Sequence, residues 1–149
     1  MVYFLCFQSH LNYAITSWGN SSYTKKLFTL QKQAIRIIMG VRNREHCQPL
    51  LQQLNIIPLP SLYIYNCLII VHKSKDEIAT NSDYHTYNTR QANWLRQPKY
   101  LMTKSVRNSL NLKLYNVLPE HWKITTTSKF KIAVNYCFYS TEEYLLYFN

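Results

Sequence analysis

The acidic side chains of this chain are few and scattered, which limits the chemistry that it can perform. Two-metal phosphoryl-transfer enzymes hold ions about 4 Å apart with two or three converging carboxylates. Asp76, Glu77 and Asp83 lie in one polar segment, but no Y-x-D-D or comparable pair lies between apolar runs. The other acids are dispersed along the chain: Glu45, Glu120, Glu142 and Glu143. The sequence therefore predicts no catalytic centre for phosphoryl transfer and no cofactor in this chain.

The cysteines and histidines form no recognisable zinc pattern. A structural zinc site needs four Cys or His ligands at short spacings, whereas the 4 cysteines lie far apart and include no C-x-x-C pair. Cys6 and His10 are one helical turn apart and His46 adjoins Cys47, but no second pair lies close to either. Buried cysteines and surface histidines explain this distribution, so no metal ligand is predicted.

Positive charge dominates the sequence and indicates a polyanionic partner. The sequence contains 17 Lys and Arg and 7 Asp and Glu, which gives a formal net charge of +10. Lys25, Lys32 and Arg36 fall on one line of a predicted helix, and Arg42 and Arg44 follow in a short connector. Fixed positive charge at reachable spacing is enough to neutralise phosphates, so these five residues are predicted to contact a nucleic-acid backbone. The alternative is a basic, solvated surface without a partner.

A polar segment further along the chain mixes aromatic and basic side chains. Its members of these two kinds are Tyr84, His85, Tyr87, Arg90, Trp94 and Arg96. Stacking of single-stranded bases on such rings is one interpretation. The other is that the tyrosines pin the loop and keep their hydroxyl groups in water. Arg90 is predicted as a further phosphate contact.

The helix that must position the basic line covers residues 23–40. One apolar row is predicted to form its buried face, and it consists of Leu27, Leu30, Ala34, Ile37, Ile38 and Val41. A second row beside it consists of Phe28, Ile35 and Met39. Gln31 lies within this wide apolar arc, where a buried amide must find partners or cost about 1–3 kcal/mol.

Helical spacing recurs on both sides of this helix. Residues 2–18 predict an amphipathic helix, and residues 19–22 offer a C-cap glycine and N-cap candidates. Residues 46–54 predict a short helix. Residues 61–71 are apolar on nearly every side, and their Ile, Val and Tyr content leaves helix and strand both open. A buried helix is preferred because no partner strand is evident elsewhere. Two later apolar stripes are Val106, Leu110, Leu114 and Val117, then Phe130, Ala133, Val134 and Cys137. A capping box at 140–143 predicts a last short helix.

These elements predict an all-α fold, an irregular bundle of about six to seven helices with a long polar loop around residues 74–103. The expected organisation is an N-terminal helical lobe at 1–73, the loop or linker at 74–103 and a C-terminal helical lobe at 104–149. No run of about 20 apolar residues could span a bilayer. The first residues lack the basic start of a signal peptide. An intracellular protein, nuclear or cytoplasmic and not secreted, is therefore expected, without a membrane or small-molecule partner.

Six strings, in order, resemble one family. They are S-H-L-N-Y-A-I-T-S-W-G-N, L-Q-K-Q-A-I-R-I-I, L-P-S-L-Y-I-Y, H-T-Y-N-T-R, L-Y-N-V-L-P-E-H and S-K-F-K. Together they resemble the C-terminal region of jockey-type non-LTR retrotransposon reverse transcriptases, over nearly the whole chain. None of these strings is a catalytic motif.

The resemblance implies a thumb-like helical region that follows the polymerase palm and helps to hold template and primer. RNA or an RNA–DNA hybrid and the polymerase core are the partners it implies, and the divalent metal would belong to that core. The catalytic aspartates have no counterpart here, so the chain is expected to be inactive alone and to be a piece of a longer RNA-directed DNA polymerase. The alternatives are a purely structural module that packs on the core, or a non-functional remnant of a mobile element.

Overall fold

The fold is all-α, as the sequence predicts. The computed structural model describes residues 2–87, 89–97 and 104–140, and the side chains of 104–109 and 136–140 are outside this description. Its α-helices are α1 (Ser9–Asn12), α2 (Ile15–Trp18), α3 (Thr24–Met39), α4 (Cys47–Gln53), α5 (Leu59–Ser74), α6 (Lys104–Val117), α7 (Glu120–Lys123) and α8 (Thr127–Ser140). Within these ranges there is no strand, and one isolated bridge joins Thr80 and Leu95. The capping box and last helix predicted after Ser140 lie outside the described residues.

The described residues form two compact units. The first contains residues 2–66 and 134–140, and the second contains the described part of Cys67–Ala133. The boundaries fall inside α5 and α8, whereas the composition of the sequence placed them at residues 73 and 104. The chain therefore passes from one unit to the other within α5 and again within α8.

The predicted continuous helix over residues 2–18 is wrong. A π-helical segment, Tyr3–Gln8, leads into α1, and the chain then breaks before α2. Tyr13 is extended and Ala14 is left-handed at φ 47°, a conformation that costs an alanine about 1 kcal/mol. The indole Nε1 of Trp18 donates to the Tyr13 carbonyl at 2.7 Å and so satisfies a backbone group that the break exposes.

The caps predicted at residues 19–22 are confirmed in part. Gly19 is the C-cap of α2, in the right-handed conformation, whereas the N-cap of α3 is Tyr23, which makes no side-chain capping bond, so the N-cap predicted within residues 20–22 is wrong. Gly19 is also needed for space, because a Cβ there would overlap the ring of Tyr63. Gly40, in contrast, ends α3 in the left-handed conformation at φ 64°, as a C-cap glycine does.

Helix α3 is rotated relative to the prediction. Its buried residues are Gln31 and Ile35, while Leu30, Ile37 and Ile38 of the predicted buried row are exposed. The second row, with Phe28 and Met39 half-buried beside Ile35, faces inward instead. The number of apolar residues in a row therefore did not decide which face is buried.

The Gln31 amide explains this rotation. Its Nε2 donates to the Tyr3 hydroxyl at 2.9 Å and to the Ile57 carbonyl at 3.1 Å. Its Oε1 accepts from the backbone N–H of Leu59 at 2.8 Å. The Gln31 side chain thus ties α3 to the N-terminal segment and to the start of α5. All three hydrogen bonds are buried.

The apolar core of the first unit surrounds this amide. Its buried members are Tyr3, Ile35, Cys47, Leu50, Leu51 and Ile56. Helix α4 supplies Leu50 and Leu51, which confirms the short helix predicted at 46–54. The buried helix predicted at 61–71 is confirmed by α5, in which Tyr63 and Cys67 are fully buried.

In the second unit, a buried histidine is held by two side chains and a backbone carbonyl. The His72 ring stacks on Phe130 with centroids 4.0 Å apart. Because the Thr125 carbonyl 3.2 Å away can only accept, Nε2 carries the proton, and Nδ1 accepts from the Tyr115 hydroxyl at 3.0 Å. Burial lowers the pKa of His72, aided by Lys75 and opposed by the bond to Thr125 and by Asp76. Burial also raises the pKa of Tyr115 to about 12.

The apolar stripe predicted in α8 is confirmed where it is described, whereas the one predicted in α6 is confirmed only in part. Phe130 and Val134 are buried in α8, as predicted. In α6 the buried residues include Leu112 and Tyr115, while Val117, predicted to face inward, is exposed. The reason is local, since the Tyr115 hydroxyl must reach His72.

We expect Gln31→Leu to lower the free energy of unfolding of the chain by about 2–4 kcal/mol. Leucine fills the volume but leaves the buried Leu59 N–H, Ile57 carbonyl and Tyr3 hydroxyl without the amide. Urea unfolding followed by circular dichroism measures the change. The matched control is Gln33→Leu on an exposed position of α3, and equal stability of both variants would contradict the proposed role of the amide.

We expect His72 to make the fold sensitive to acid. Its pKa is lower in the folded chain than the ordinary 6.5, so the unfolded chain takes up the proton first as the pH falls. The stabilisation is complete above about pH 7 and is lost below about pH 6.5, by at most about 1.4 kcal/mol per pH unit. Urea unfolding at several pH values should show a shallower slope for His72→Gln. The same slope of the free energy of unfolding against pH in both proteins would contradict this interpretation.

Candidate nucleic-acid interface

Three of the predicted phosphate contacts share one face of α3. At 100° per residue, Lys25, Lys32 and Arg36 lie within an arc of about 40° and span about 16 Å of the helix axis. This basic row, Lys25, Lys32 and Arg36, is separated around the helix from the buried positions Gln31 and Ile35. The predicted alignment is therefore present in the structure.

The lysines of the basic row differ in how firmly they are held. Lys25 is exposed, whereas Lys32 is half-buried and places its Nζ 4.2 Å from the ring centroid of Phe28. A cation over an aromatic face is attracted by the ring quadrupole. Phe28 therefore orders Lys32 without neutralising its charge, which stays available to an anion.

Arg36 joins the basic row to the connector that follows α3. Its Nε–H donates to the Glu45 carbonyl at 3.0 Å, and the Val41 N–H donates to the Arg36 carbonyl at 3.1 Å beside the left-handed Gly40. These bonds fold residues 41–45 back towards the end of the helix. The connector carries Arg42 and Arg44, and both are exposed.

The first unit has almost no negative charge to compete with these cations. Its described residues hold six Lys or Arg side chains and one carboxylate, Glu45. Lys26, which the sequence analysis did not select, is the sixth cation. It lies on another side of α3, with Nζ 5.5 Å from the Tyr23 ring centroid. The charge on the described residues of this unit is therefore nearly all positive.

The cations also act on the thiol of Cys47. Burial raises its pKa, while the positive charges of Arg36 and Lys32 oppose that rise. Cys47 Sγ lies 3.8 Å from the Lys32 carbonyl oxygen. The thiol thus packs against the backbone of α3 beneath the basic row.

Arg90 is exposed in a turn of the second unit, so it is not part of the basic row. The nearby polar segment is ordered by its backbone. Thr80 pairs with Leu95, and the Arg96 N–H donates to the Ala79 carbonyl at 2.9 Å. The predicted long polar loop is thus a closed, internally bonded segment where it is described.

Asn116 anchors this segment to α6. Its Oδ1 accepts from the Leu95 N–H at 3.0 Å, and its Nδ2 donates to the Leu95 carbonyl at 2.9 Å. Sequence reasoning missed this residue, because a buried amide in a helix has no signature in the spacing of apolar residues. The Asn116 amide and the backbone of Leu95 hold this segment on α6. Tyr84 and Tyr87 remain exposed.

Arg96 and Tyr84 form a stacked pair within the loop. The guanidinium carbon lies 3.6 Å from the ring centroid. The alternation of arginines and aromatics gave a signal for such a pair, although it did not show which partners would meet. One face of Tyr84 is already covered by Arg96, which leaves its other face for a further stacking partner.

Among residues 2–87, 89–97 and 104–140, no cluster of three or more His, Cys, Asp or Glu is arranged to hold a metal ion. In the same part of the chain, no helix combines the length and the apolar character needed to cross a bilayer. Comparison of the chain with known protein families, with curated proteins and with solved structures gives no match.

We expect Asn116→Leu to loosen the loop locally. The variant leaves the buried N–H and carbonyl of Leu95 without the amide, which costs about 1–3 kcal/mol for each orphaned group. Amide hydrogen exchange at Leu95 and Arg96 should be faster than in the unaltered chain. Lys113→Leu, at an exposed position of α6, is the control, and unchanged exchange in Asn116→Leu would show that the amide is not the anchor.

Proposed function

We propose that this chain is a nucleic-acid-binding helical region of a jockey-type non-LTR retrotransposon reverse transcriptase. It contacts the backbone of RNA or an RNA–DNA hybrid and has no catalytic centre of its own. The observation that carries the proposal is the basic row on α3, continued by Arg42 and Arg44, in a unit whose described residues include one carboxylate. The strings that resemble the family supply the rest of the support.

The chemistry of this binding is electrostatic. Each Lys or Arg that neutralises a phosphate releases condensed counterions, so affinity falls steeply as salt rises. The row contacts no base edge in this mechanism, and binding is therefore insensitive to sequence. Arg90 and the exposed rings of Tyr84 and Tyr87 are secondary candidates for an unpaired strand.

The proposal divides the work between this chain and a polymerase core. The core provides the catalytic aspartates and the divalent metal, and this chain holds template and primer beside it. The proposal also places the protein where the retrotransposon is copied, in the nucleus or the cytoplasm.

A purely structural role is the second candidate, and one observation favours it. Helix α3 leaves Leu30, Ile37 and Ile38 exposed, and apolar side chains of this size are suited to packing against another protein surface. In that case Lys25 and Lys32 serve only to keep one face of the helix soluble.

We expect the double variant Lys25→Gln, Lys32→Gln to bind an RNA–DNA hybrid more weakly than the unaltered chain. The slope of log affinity against log salt should become shallower by about two, because two phosphate contacts are lost. Filter binding at several salt concentrations measures both quantities. Arg36 is left in place because its Nε holds the connector.

The control variant Lys129→Gln, Lys131→Gln removes the same charge from exposed positions of α8 in the second unit. It should keep the salt slope of the unaltered chain. If both double variants lose affinity equally, net charge and not the basic row governs binding. If neither loses affinity, the structural role is the better account.

A further inference from the structure

Helix α3 carries an apolar stripe on the side away from its basic row. The stripe comprises Tyr23, Leu27, Leu30, Ala34, Ile37 and Ile38. Four of these side chains are largely exposed, namely Tyr23 at 67%, Leu30 at 51%, Ile37 at 77% and Ile38 at 52%. Isolated exposed apolar residues are ordinary, but a contiguous patch along one helix marks an interaction site.

The spacing of the stripe suits one partner helix. Tyr23, Leu27, Leu30, Ala34 and Ile37 alternate steps of four and three residues, which are the a and d positions of a heptad. The stripe covers an arc of about 100° and runs about 21 Å along the axis. A helix of about four turns has the width and the length to lie against it.

Neither edge of the stripe carries an acidic residue. Lys26 lies along one edge, with its Nζ near the Tyr23 ring. Gln31 and Ile35, which face the core, lie beyond the other edge. Arg42 and Arg44 follow the C-terminal end of α3, and Glu45 is the one carboxylate among the described residues of this unit.

These features decide between possible occupants. A second copy would bring together two units whose described residues carry six cations and one carboxylate each, and like charges at such a seam are unfavourable. An interfacial membrane helix has a broad apolar face with cations along its polar side, whereas one edge of this stripe is the protein core. Nucleic acid offers phosphates, which do not match an aliphatic surface.

We propose that the apolar stripe docks one amphipathic α-helix with aliphatic residues at its a and d positions and carboxylates at its flanks. The aliphatic side chains pack between Leu30, Ala34 and Ile37. The flanking carboxylates reach Lys26, which lies along the exposed edge of the stripe. The basic row is on a different face, so docking does not depend on the proposed nucleic-acid function.

The probe is a labelled synthetic peptide of about three heptads, with leucine at a and d and glutamate at e and g. The glutamates keep the peptide from pairing with itself at neutral pH. Binding to the full chain is followed by fluorescence anisotropy. We expect the variant Leu30→Gln, Ile37→Gln to bind the peptide at least tenfold more weakly, and a peptide with lysine in place of glutamate to bind at least tenfold more weakly to the unaltered chain.

The control variant is Thr29→Gln, at an exposed position of α3 outside the stripe, and it should keep the peptide affinity within about twofold. Because Leu30 and Ile37 are already exposed, their replacement spares the core, and circular dichroism verifies folding. Ile37→Gln alone is the fallback variant, with a smaller loss in the same direction. Equal peptide affinity of the stripe variants and the control would overturn the proposal.

Two other occupants are tested with the same variants. Sedimentation equilibrium that shows a dimer of the chain, lost in Leu30→Gln, Ile37→Gln, would replace the proposal by self-association. Binding to phosphatidylglycerol vesicles that depends on Leu30 and Ile37 would replace it by a lipid surface. Binding of an RNA–DNA hybrid should be unchanged in the stripe variant, and a loss would assign the stripe to nucleic acid.

Discussion

The buried amide of Gln31 is the interaction on which the arrangement of the first unit depends. Its three hydrogen bonds reach the N-terminal segment, the Ile57 carbonyl and the first residue of α5. A helix with one such amide cannot turn freely in an apolar core, because every other rotation leaves these groups without partners. The amide therefore fixes which face of α3 packs inward, and with it the positions of the basic row and the apolar stripe.

One helix consequently presents three surfaces with different chemistry. The inward face packs Ile35, the basic row offers cations that Phe28 and the connector hold in place, and the apolar stripe remains uncovered. Among the described residues of this unit, Glu45 is the one carboxylate beside six Lys or Arg side chains. An anionic ligand on one side and a packed partner on the other are compatible uses of the same helix.

Much of the fold could be predicted from the sequence, and the exceptions have physical causes. The periodicity of apolar residues identified α3, α4 and α8, since burial of a continuous face produces that period. The periodicity left α5, apolar on nearly every side, open to helix or strand, and the lack of an evident partner strand favoured the helix. It placed the inward face of α3 wrongly, because hydrogen bonds to Gln31 outweighed the exposure of Ile37. The line of Lys25, Lys32 and Arg36 followed from spacing alone. The Asn116 anchor and the break at Ala14 depend on tertiary contacts that no local pattern encodes.

The hydrogen bond from Arg36 to the Glu45 carbonyl has a consequence for the entropy of binding. A free arginine side chain loses up to about 2 kcal/mol of rotamer freedom when a ligand immobilises it. Here Nε is already engaged, so part of that ordering occurred when the chain folded. A guanidinium has five N–H donors, and four remain for other partners. Arg36 is thus preorganised towards an anion in a way that the exposed Lys25 is not.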